Sequence, residues 1–522
     1  MKRQIIFYGL FFLAQSVCAQ LNQQEEQTEK LNLGSNMNYH VEFQSSFAHG
    51  HTPLWMHSNR HGLGSLESVN GYLRSSIIRP LRTDSLRRWG IGYGVDVAIP
   101  YHFTSKTIVQ QAFAEVRWLH GSLSVGSKEY PMELKNNALS SGSQTFGINA
   151  RPVPQVRLAL PDYWRLPFGN RWLHIKGHIA YGRMTDDNWQ HDFTQRQSKY
   201  VDQVLYHSKA GFLKIGNEDR FCPWSLELGL EMATLFGGTS YQPRSNGETK
   251  VVKGNTNMRA FWNAFMPGGH DAPEEGIVYQ NVEGNQLGSW LFRMNYEGDS
   301  WCVRLYGEKY FEDHSSMLQL DYDGYGTGEE WNVKKKRKFF LYDFKDMMLG
   351  LELNLKYNHW LQSLVFEYLY TKYQSGPVYH DHTQNMSHHI SGRDNFYNHY
   401  IYPGWQHWGE VIGNPLYRSP LYNEDGTIEI QNNRFKAFHL GLSGEPAERL
   451  NYRFLATYQE GFGTYNTPFF KKHHNVSLFL ETAYRWRYGW HFMASFGADF
   501  GGILGNNQGF QLTVSKHGIF NL

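Results

Sequence analysis

Beyond its first twenty residues the 522-residue chain lacks any apolar run near the ~20 residues a membrane-spanning helix needs, which excludes a helical membrane protein. Cysteine is scarce: there are three, and only Cys222 and Cys302 lie past the N-terminal segment. Two cysteines permit at most one disulfide, and sequence alone does not say whether they meet. Neither sign of charge dominates, with 50 Lys and Arg against 48 Asp and Glu and a net charge of +2. Whole-molecule electrostatics therefore do not argue for a nucleic-acid partner, and none is expected. Signatures of catalysis are missing as well: there is no G-x-S-x-G elbow, no H-E-x-x-H and no phosphate-binding loop. The expectation is a protein that is not an enzyme and holds no cofactor or metal.

The N-terminus runs Met1-Lys2-Arg3, an apolar stretch from Ile5 to Leu13, then Ser16-Val17-Cys18-Ala19. Positive charge, a short apolar core and small residues are the layout of a secretory signal cut after Ala19. A lipoprotein signal would use Cys18, and Val17 and Gln15 fit it poorly. Aromatics are abundant, at 16% with 33 Tyr, 34 Phe and 16 Trp, yet mean hydropathy is -0.56. Membrane-spanning strands reconcile the two, because apolar and polar residues alternate and cancel in an average, while aromatics sit at both membrane interfaces.

The alternation can be counted. In 510–522, Phe510, Leu512, Val514, Lys516, Gly518, Phe520 and Leu522 share one strand face, mostly apolar, and Gln511, Thr513, Ser515, His517, Ile519 and Asn521 share the other, mostly polar. Trp490 to Phe500 repeats the pattern, as do Val476 to Tyr488, Leu450 to Tyr458, Trp89 to Ile99 and Trp224 to Met232. A soluble β-sandwich also alternates. The signal, the aromatic load and a C-terminal strand of the type read by barrel-insertion machinery favour a barrel. The sequence thus predicts an all-β, transmembrane outer-membrane β-barrel of about 16–18 antiparallel strands, localised to the outer membrane among its lipid and lipopolysaccharide. Residues 1–19 are the signal, 20–38 a polar extension and 39–522 the barrel. Longer gaps near 59–70, 183–203, 236–285, 311–346 and 373–434 read as surface loops or lumen plugs.

Specific stretches along the chain add a resemblance. They include His51-Thr52-Pro53-Leu54-Trp55 with Ser58-Asn59-Arg60, Leu139-Ser140-Ser141-Gly142 leading to Asn149-Ala150-Arg151-Pro152, Asp186-Asp187-Asn188-Trp189, Asn281-Val282-Glu283-Gly284-Asn285 and Gly413-Asn414-Pro415-Leu416. In these, from about residue 40 to the end, the chain resembles the long form of the Wzi capsule-assembly family. The resemblance implies a monomeric eighteen-stranded outer-membrane barrel with a small helical periplasmic plug, acting as a lectin that binds capsular polysaccharide and helps anchor the capsule. A porin-like channel for oligosaccharides or small solutes is the alternative, suggested by inward Glu, Arg and Asp on many strands.

A lectin needs flat apolar surfaces for sugar rings and fixed donors and acceptors for hydroxyls. The segment 379–417 is dense in both, with Arg393, Asp394, Asn395, Tyr397, Asn398, His399, Trp405, His407, Trp408 and Asn414. Upstream, Asn149 and Arg151 stand beside two prolines that keep the segment out of a central ladder. All twelve are candidate glycan contacts; the same residues also suit a loop folded over its own aromatics to close the barrel. His380, His382, His388 and His389 lack a distinctive metal spacing, and Asp321, Asp323, Glu329 and Glu330 depart from the EF-hand pattern. Lys334 to Lys338 reads as a solvated cationic run, and His389-Ile390-Ser391 lies in a loop rather than on a lipid-facing strand. Glu227 and Glu231 share a strand face, yet their Cα atoms stand ~13 Å apart, too far for a glycosidase pair without side-chain rotation.

Overall fold

In the computed structural model, residues 32–521 are described apart from 86, 267–282, 313–318, 321–338, 341–344, 375–378, 384–385 and 392–393. Eighteen of the strands form one antiparallel sheet. In chain order they are β1 (Met37–His49), β2 (Val69–Arg79), β3 (Trp89–Tyr101), β4 (Ile108–Trp118), β5 (Gly121–Ser127) and β6 (Gln155–Arg165). Then come β7 (Leu173–Arg183), β8 (Leu205–Ile215), β9 (Trp224–Phe236), β10 (Asn285–Glu297), β11 (Trp301–Glu312) and β12 (Met347–Leu355). The last six are β13 (Ser363–Tyr370), β14 (Phe435–Ala447), β15 (Leu450–Gly463), β16 (Pro468–Arg485), β17 (Trp490–Gly501) and β18 (Asn507–Phe520). Each strand pairs with its sequence neighbours. β1 also pairs with β18, from Met37↔Phe520 to His49↔Gln508, so the sheet closes on itself and has no edge. The barrel begins at Met37, slightly ahead of the expected boundary.

Burial separates this barrel from a sandwich. Along β18 the polar Gln511, Thr513 and Ser515 are buried while Phe510 and Leu512 are exposed. Along β3, Val95 and Ile99 are exposed while Asp96 is buried. Such inversion suits a wall with hydrocarbon outside and polar contacts inside. Trp89, Trp118, Trp224, Trp301, Trp486 and Trp490 all lie exposed at one end of their strands, forming an aromatic girdle.

The long connections all lie at one end of the barrel, alongside the short 102–107, 464–467 and 502–506. Those at the girdle end are short, such as 119–120, 298–300 and 448–449, and β1 begins and β18 ends there. At the opposite end run 50–68, 128–154, 184–204, 237–284, 313–346 and 371–434. Outer-membrane barrels carry short periplasmic turns and long extracellular loops, which orients this one. The 128–154 connection is a long loop that the sequence reading did not mark. Among the described residues the α-helices are short: α1 (Leu54–His57), α2 (Trp189–Thr194) and α3 (Met258–Phe265) all sit in extracellular connections. The helical periplasmic plug implied by the resemblance has no counterpart among the described residues. Cys222 and Cys302 are both free thiols.

The depth of the apolar belt can be read by substitution. Phe496 lies mid-strand in β17 and Phe500 near its extracellular end, and both are exposed on the outer face. Phe496→Arg is expected to cost about 2–4 kcal/mol and Phe500→Arg about 0–1 kcal/mol in urea titrations of barrel folded into lipid vesicles.

Candidate functional site: the plugged extracellular end

Three long connections turn inward and fill the extracellular half of the lumen. The first carries α1. Gly497 of β17 and Gly509 of β18 face each other, and a Cβ on either would stand 2.8–2.9 Å from Met56 or Pro53, so the missing side chains make room for this turn. The Leu54 N–H donates to Asp499 of β17 at 3.0 Å. The Trp55 indole donates to the Thr457 hydroxyl at 3.1 Å, and Thr457 stands 2.7 Å from Nδ1 of His439. Nε2 of His439 in turn reaches the Leu139 carbonyl at 2.8 Å. With Nε2 protonated, the relay is satisfied at every atom and joins the first loop, two wall strands and the second loop.

The second connection, 128–154, is held by wall carboxylates. Glu308 of β11 accepts from the Lys135 ammonium, the Ser143 hydroxyl at 3.1 Å and the Gln144 N–H at 2.8 Å. Glu367 of β13 accepts from the Ser140 hydroxyl at 2.6 Å, the Ser141 N–H at 2.8 Å and the Tyr306 hydroxyl at 2.6 Å. Both carboxylates are fully buried. Sequence reasoning singled out Glu227 and Glu231 and missed these two. The serines of Leu139-Ser140-Ser141-Gly142 were noticed, without their partners.

The third connection, 371–434, packs over the second. Tyr397 stacks on Tyr417 with ring centroids 4.0 Å apart, its N–H donates to Glu312 at 2.6 Å, and its hydroxyl donates to the Gln144 carbonyl. The Trp405 indole donates to the Thr145 carbonyl at 3.1 Å. Asn414 donates to the Gly142 carbonyl at 2.9 Å, and Asn149 donates to the Val411 carbonyl at 3.0 Å. Asn398 pairs with both the N–H and the carbonyl of Ile430, at 2.8 and 2.9 Å, as a strand neighbour would.

The structure therefore brings most of the candidate residues together, as the joint between two loops. Asn149, Arg151, Tyr397, Asn398, Trp405, His407 and Asn414 are buried; Tyr397, Trp405 and Asn414 are 0% exposed. Asp394, Asn395, His399 and Trp408 are half-buried and reach solvent. Arg393 lies outside the described residues, as do the side chains of His380, His382, His388, His389 and Ser391, the Asp321–Glu330 loop and the Lys334–Lys338 run. Among the described residues no group of three or more His, Cys, Asp or Glu side chains is placed to hold a metal ion.

Arg151 lies over the Trp408 ring at 4.3 Å and donates to the Thr104 hydroxyl at 3.0 Å. Burial pushes its guanidinium down to about 10, with Glu410 opposing the shift. Burial likewise pushes His407 down to about 4. Its Nδ1 stands 2.8 Å from the Arg151 carbonyl, and its Nε2 faces the Thr185 N–H at 3.2 Å. The ring is thus neutral with Nδ1 protonated, and a second proton would confront a donor. His399 is pushed down to about 3 by burial and the Lys199 cation.

A reachable surface remains beside the joint. Tyr400 is 54% exposed, and Lys250 stands 3.3 Å from its hydroxyl. Gln242 donates to the Tyr400 carbonyl at 3.2 Å, and Lys199 binds the His399 carbonyl. Tyr241, adjoining Gln242 in a small sheet of 200–202, 239–243 and 249–253, stacks on Tyr200 at 4.9 Å.

Closed wall, inverted burial and inward loops define the class: an antiparallel β-barrel with the fold of outer-membrane proteins. No protein-family model matches the chain, and comparison with curated proteins finds no match. Among solved structures it is similar to Wzi, an outer-membrane protein involved in group 1 capsule assembly in Escherichia coli and a carbohydrate-binding β-barrel, with TM-score 0.55 and 14% identity over 94% of this chain and 86% of that one. OccAB4 of Acinetobacter baumannii aligns with TM-score 0.42 and 10% identity over 94% of this chain and 100% of its own. OprD of Pseudomonas aeruginosa aligns with TM-score 0.43 and 8% identity over 95% and 96%. At these identities the likeness is one of fold.

Two outcomes follow from the joint. Glu367→Ala leaves four buried donors, from Ser140, Ser141 and Tyr306, without an acceptor and is expected to cost at least about 2 kcal/mol, with faster amide exchange in 139–145; Glu367→Gln, which keeps the shape, is expected to lose less. For His407, the folded-state value lies below the ~6.5 of an unfolded histidine. Its neutral form therefore contributes stability that is complete above pH 6.5 and declines as pH falls toward 4. Limited proteolysis of the loops is expected to accelerate between pH 6.5 and 4.5, and His407→Gln to blunt that acceleration.

Proposed function

We propose that this protein binds cell-surface polysaccharide, in the first place capsular polysaccharide, through the outer surface of its extracellular loops while its lumen stays closed. The observation that carries the reading is the plug, in which long loops are locked to the wall by buried carboxylates. Rigid loops present a preorganised surface, and preorganisation lowers the entropy lost on binding a flexible chain. The carbohydrate-binding Wzi barrel, similar in fold, supports the same reading. Contacts fall to residues that reach solvent: Tyr400 as a sugar platform, Lys250, Gln242 and His399 around it, and the half-buried Asp394, Asn395 and Trp408. Tyr397 and Trp405 act from beneath by holding the loops in shape. The protein works as a monomer without catalysis, delivered by a signal cut near Ala19 and inserted by the barrel-insertion machinery.

A specific observation also favours the channel reading. Two cavities of about 510 and 580 Å³ open the periplasmic half of the barrel, one lined by Arg117, Lys128, Arg157 and Lys176, the other by Lys214, Arg293 and Lys356. Planar-bilayer recording separates the readings: a silent barrel fits the plug, and stable large openings at neutral pH establish a channel.

The direct test titrates detergent-folded protein with the strain's own surface polysaccharide. Tyr400→Ala with Lys250→Ala is expected to weaken binding at least tenfold without altering thermal unfolding. Wild-type protein that ignores the polysaccharide overturns the proposal.

A further inference from the structure

The outer wall is polar where it should be apolar. On β7 to β10, register places Tyr181, Lys209, Thr234 and Gln286 on the outward face, in line with the exposed Ile179, Leu228 and Met294 below them. Lys209, Thr234 and Gln286 are poor neighbours for hydrocarbon. All four are covered by α3, which lies across the outside of the barrel. The Tyr181 hydroxyl donates to the Phe261 carbonyl at 2.9 Å, Gln286 to Asn263 at 3.3 Å, Thr234 to Ala264 at 3.3 Å and Lys209 to Phe265. The last carbonyls of a helix have no partner within it. Here four consecutive strands each supply one donor to a carbonyl of α3 between Phe261 and Phe265, and Lys209 puts a cation at the negative end of its dipole. Ala260 and Ala264 are small enough to let the helix settle on Phe236, and Phe261 packs beside it with ring centroids 5.2 Å apart. At the other end, the Asn257 side chain caps the Ala260 N–H.

With that face occupied, the opposite one shows Met258, Trp262 and Met266, spaced by four and 84%, 62% and 49% exposed. Their height is fixed by the strands. Ten residues of β9 separate the girdle residue Trp224 from Thr234 beneath the helix. At ~3.4 Å per residue and a tilt near 40°, that is ~26 Å along the barrel axis, against an apolar band ~25 Å tall. The helix therefore sits at the upper rim of the lipid-facing belt and continues its outer surface.

We propose that α3 is an interfacial anchor whose Met258–Trp262–Met266 ridge docks into the outer leaflet, among the acyl chains just below the headgroups. It replaces a polar stretch of wall with an apolar one and sets the height of the extracellular loops above the membrane. The inference rests on the outer-membrane reading of the barrel and adds a second, helical contact with lipid. Tryptophan in the middle of the ridge suits the boundary between headgroup and hydrocarbon.

The test uses full-length protein folded into phosphatidylcholine vesicles doped with a phospholipid that carries a photoactivatable diazirine either near the carbonyl or near the acyl terminus. Labelled peptides are then mapped by mass spectrometry. The shallow probe is expected to label 258–266 severalfold more than the deep probe, which labels the mid-belt peptide containing Phe496. Trp262→Glu is expected to reduce labelling of the helix severalfold while mid-belt labelling and heat-modifiable migration are unchanged. Labelling of the belt without 258–266, or of 267–282 in its place, overturns the anchor alone. Failure to label the belt peptides overturns the membrane reading and the anchor with it.

Discussion

Everything in the lumen follows from buried carboxylates on an inward-facing wall. A carboxylate taken out of water costs several kcal/mol unless its oxygens are met by cations or donors. Glu308 has an ammonium, a hydroxyl and a backbone N–H. Glu367 has three hydroxyls and a backbone N–H, and no cation among the described residues. Glu312 holds Tyr310 and the Tyr397 backbone, and Asp499 holds the Leu54 backbone and Asn507. In each case part of the donor set comes from an inward loop. Removing the loop strands the wall, and removing the carboxylate strands the loop. Barrel and plug are for this reason one cooperative structure.

The barrel was legible because a strand writes its two faces alternately into the chain. The faces read along Phe510 to Leu522, Trp490 to Phe500 and Trp89 to Ile99 are the lipid and lumen faces of β18, β17 and β3. Eighteen strands fall at the upper end of the expected 16–18. The site was legible only in part. Asn149, Tyr397, Trp405 and Asn414 were found because aromatics and amides cluster there, yet each also bonds a group 253 to 273 residues away. No local pattern distinguishes an aromatic that meets a sugar from one that meets a backbone carbonyl of another loop. Glu308 and Glu367 were missed for the same reason, since a lumen carboxylate looks alike whether it faces water or a plug. Helix α3 fell in the 236–285 gap: eight residues are too few for a convincing period, and the donors that hold it are spread over four strands.

The polar lumen also has a cause in the route a barrel protein takes. A chain bound for the outer membrane first crosses the inner one, where a stretch of ~20 apolar residues would stop it. Alternation avoids such a stretch and keeps mean hydropathy at -0.56. The consequence is that half of every strand is polar, and once the barrel closes those side chains converge on one enclosed space. A wide pore satisfies them with water. This barrel satisfies them in its extracellular half with backbone and hydroxyl groups from loops rich in serine, asparagine and glycine, and leaves cavities of about 510 and 580 Å³ in the periplasmic half.

That division has a functional logic. Replacing buried ionic groups by apolar ones of equal volume is often neutral or stabilising, so a greasy plug would close the lumen as well. It would not fix the loops in one arrangement, because apolar contacts tolerate sliding whereas a carboxylate with three directed donors does not. Ser140, Ser141, Ser143 and Gln144 are each tied to a particular oxygen, and the Tyr397 hydroxyl is tied to the Gln144 carbonyl on the far side of that segment. The loop that carries Tyr400 is thus referenced, through Tyr397 and Trp405, to the same wall carboxylates that define the lumen. Under the polysaccharide-binding function proposed above, the recognising surface needs such a reference more than it needs extra stability, and this arrangement carries it from β11 and β13 toward the outermost residues.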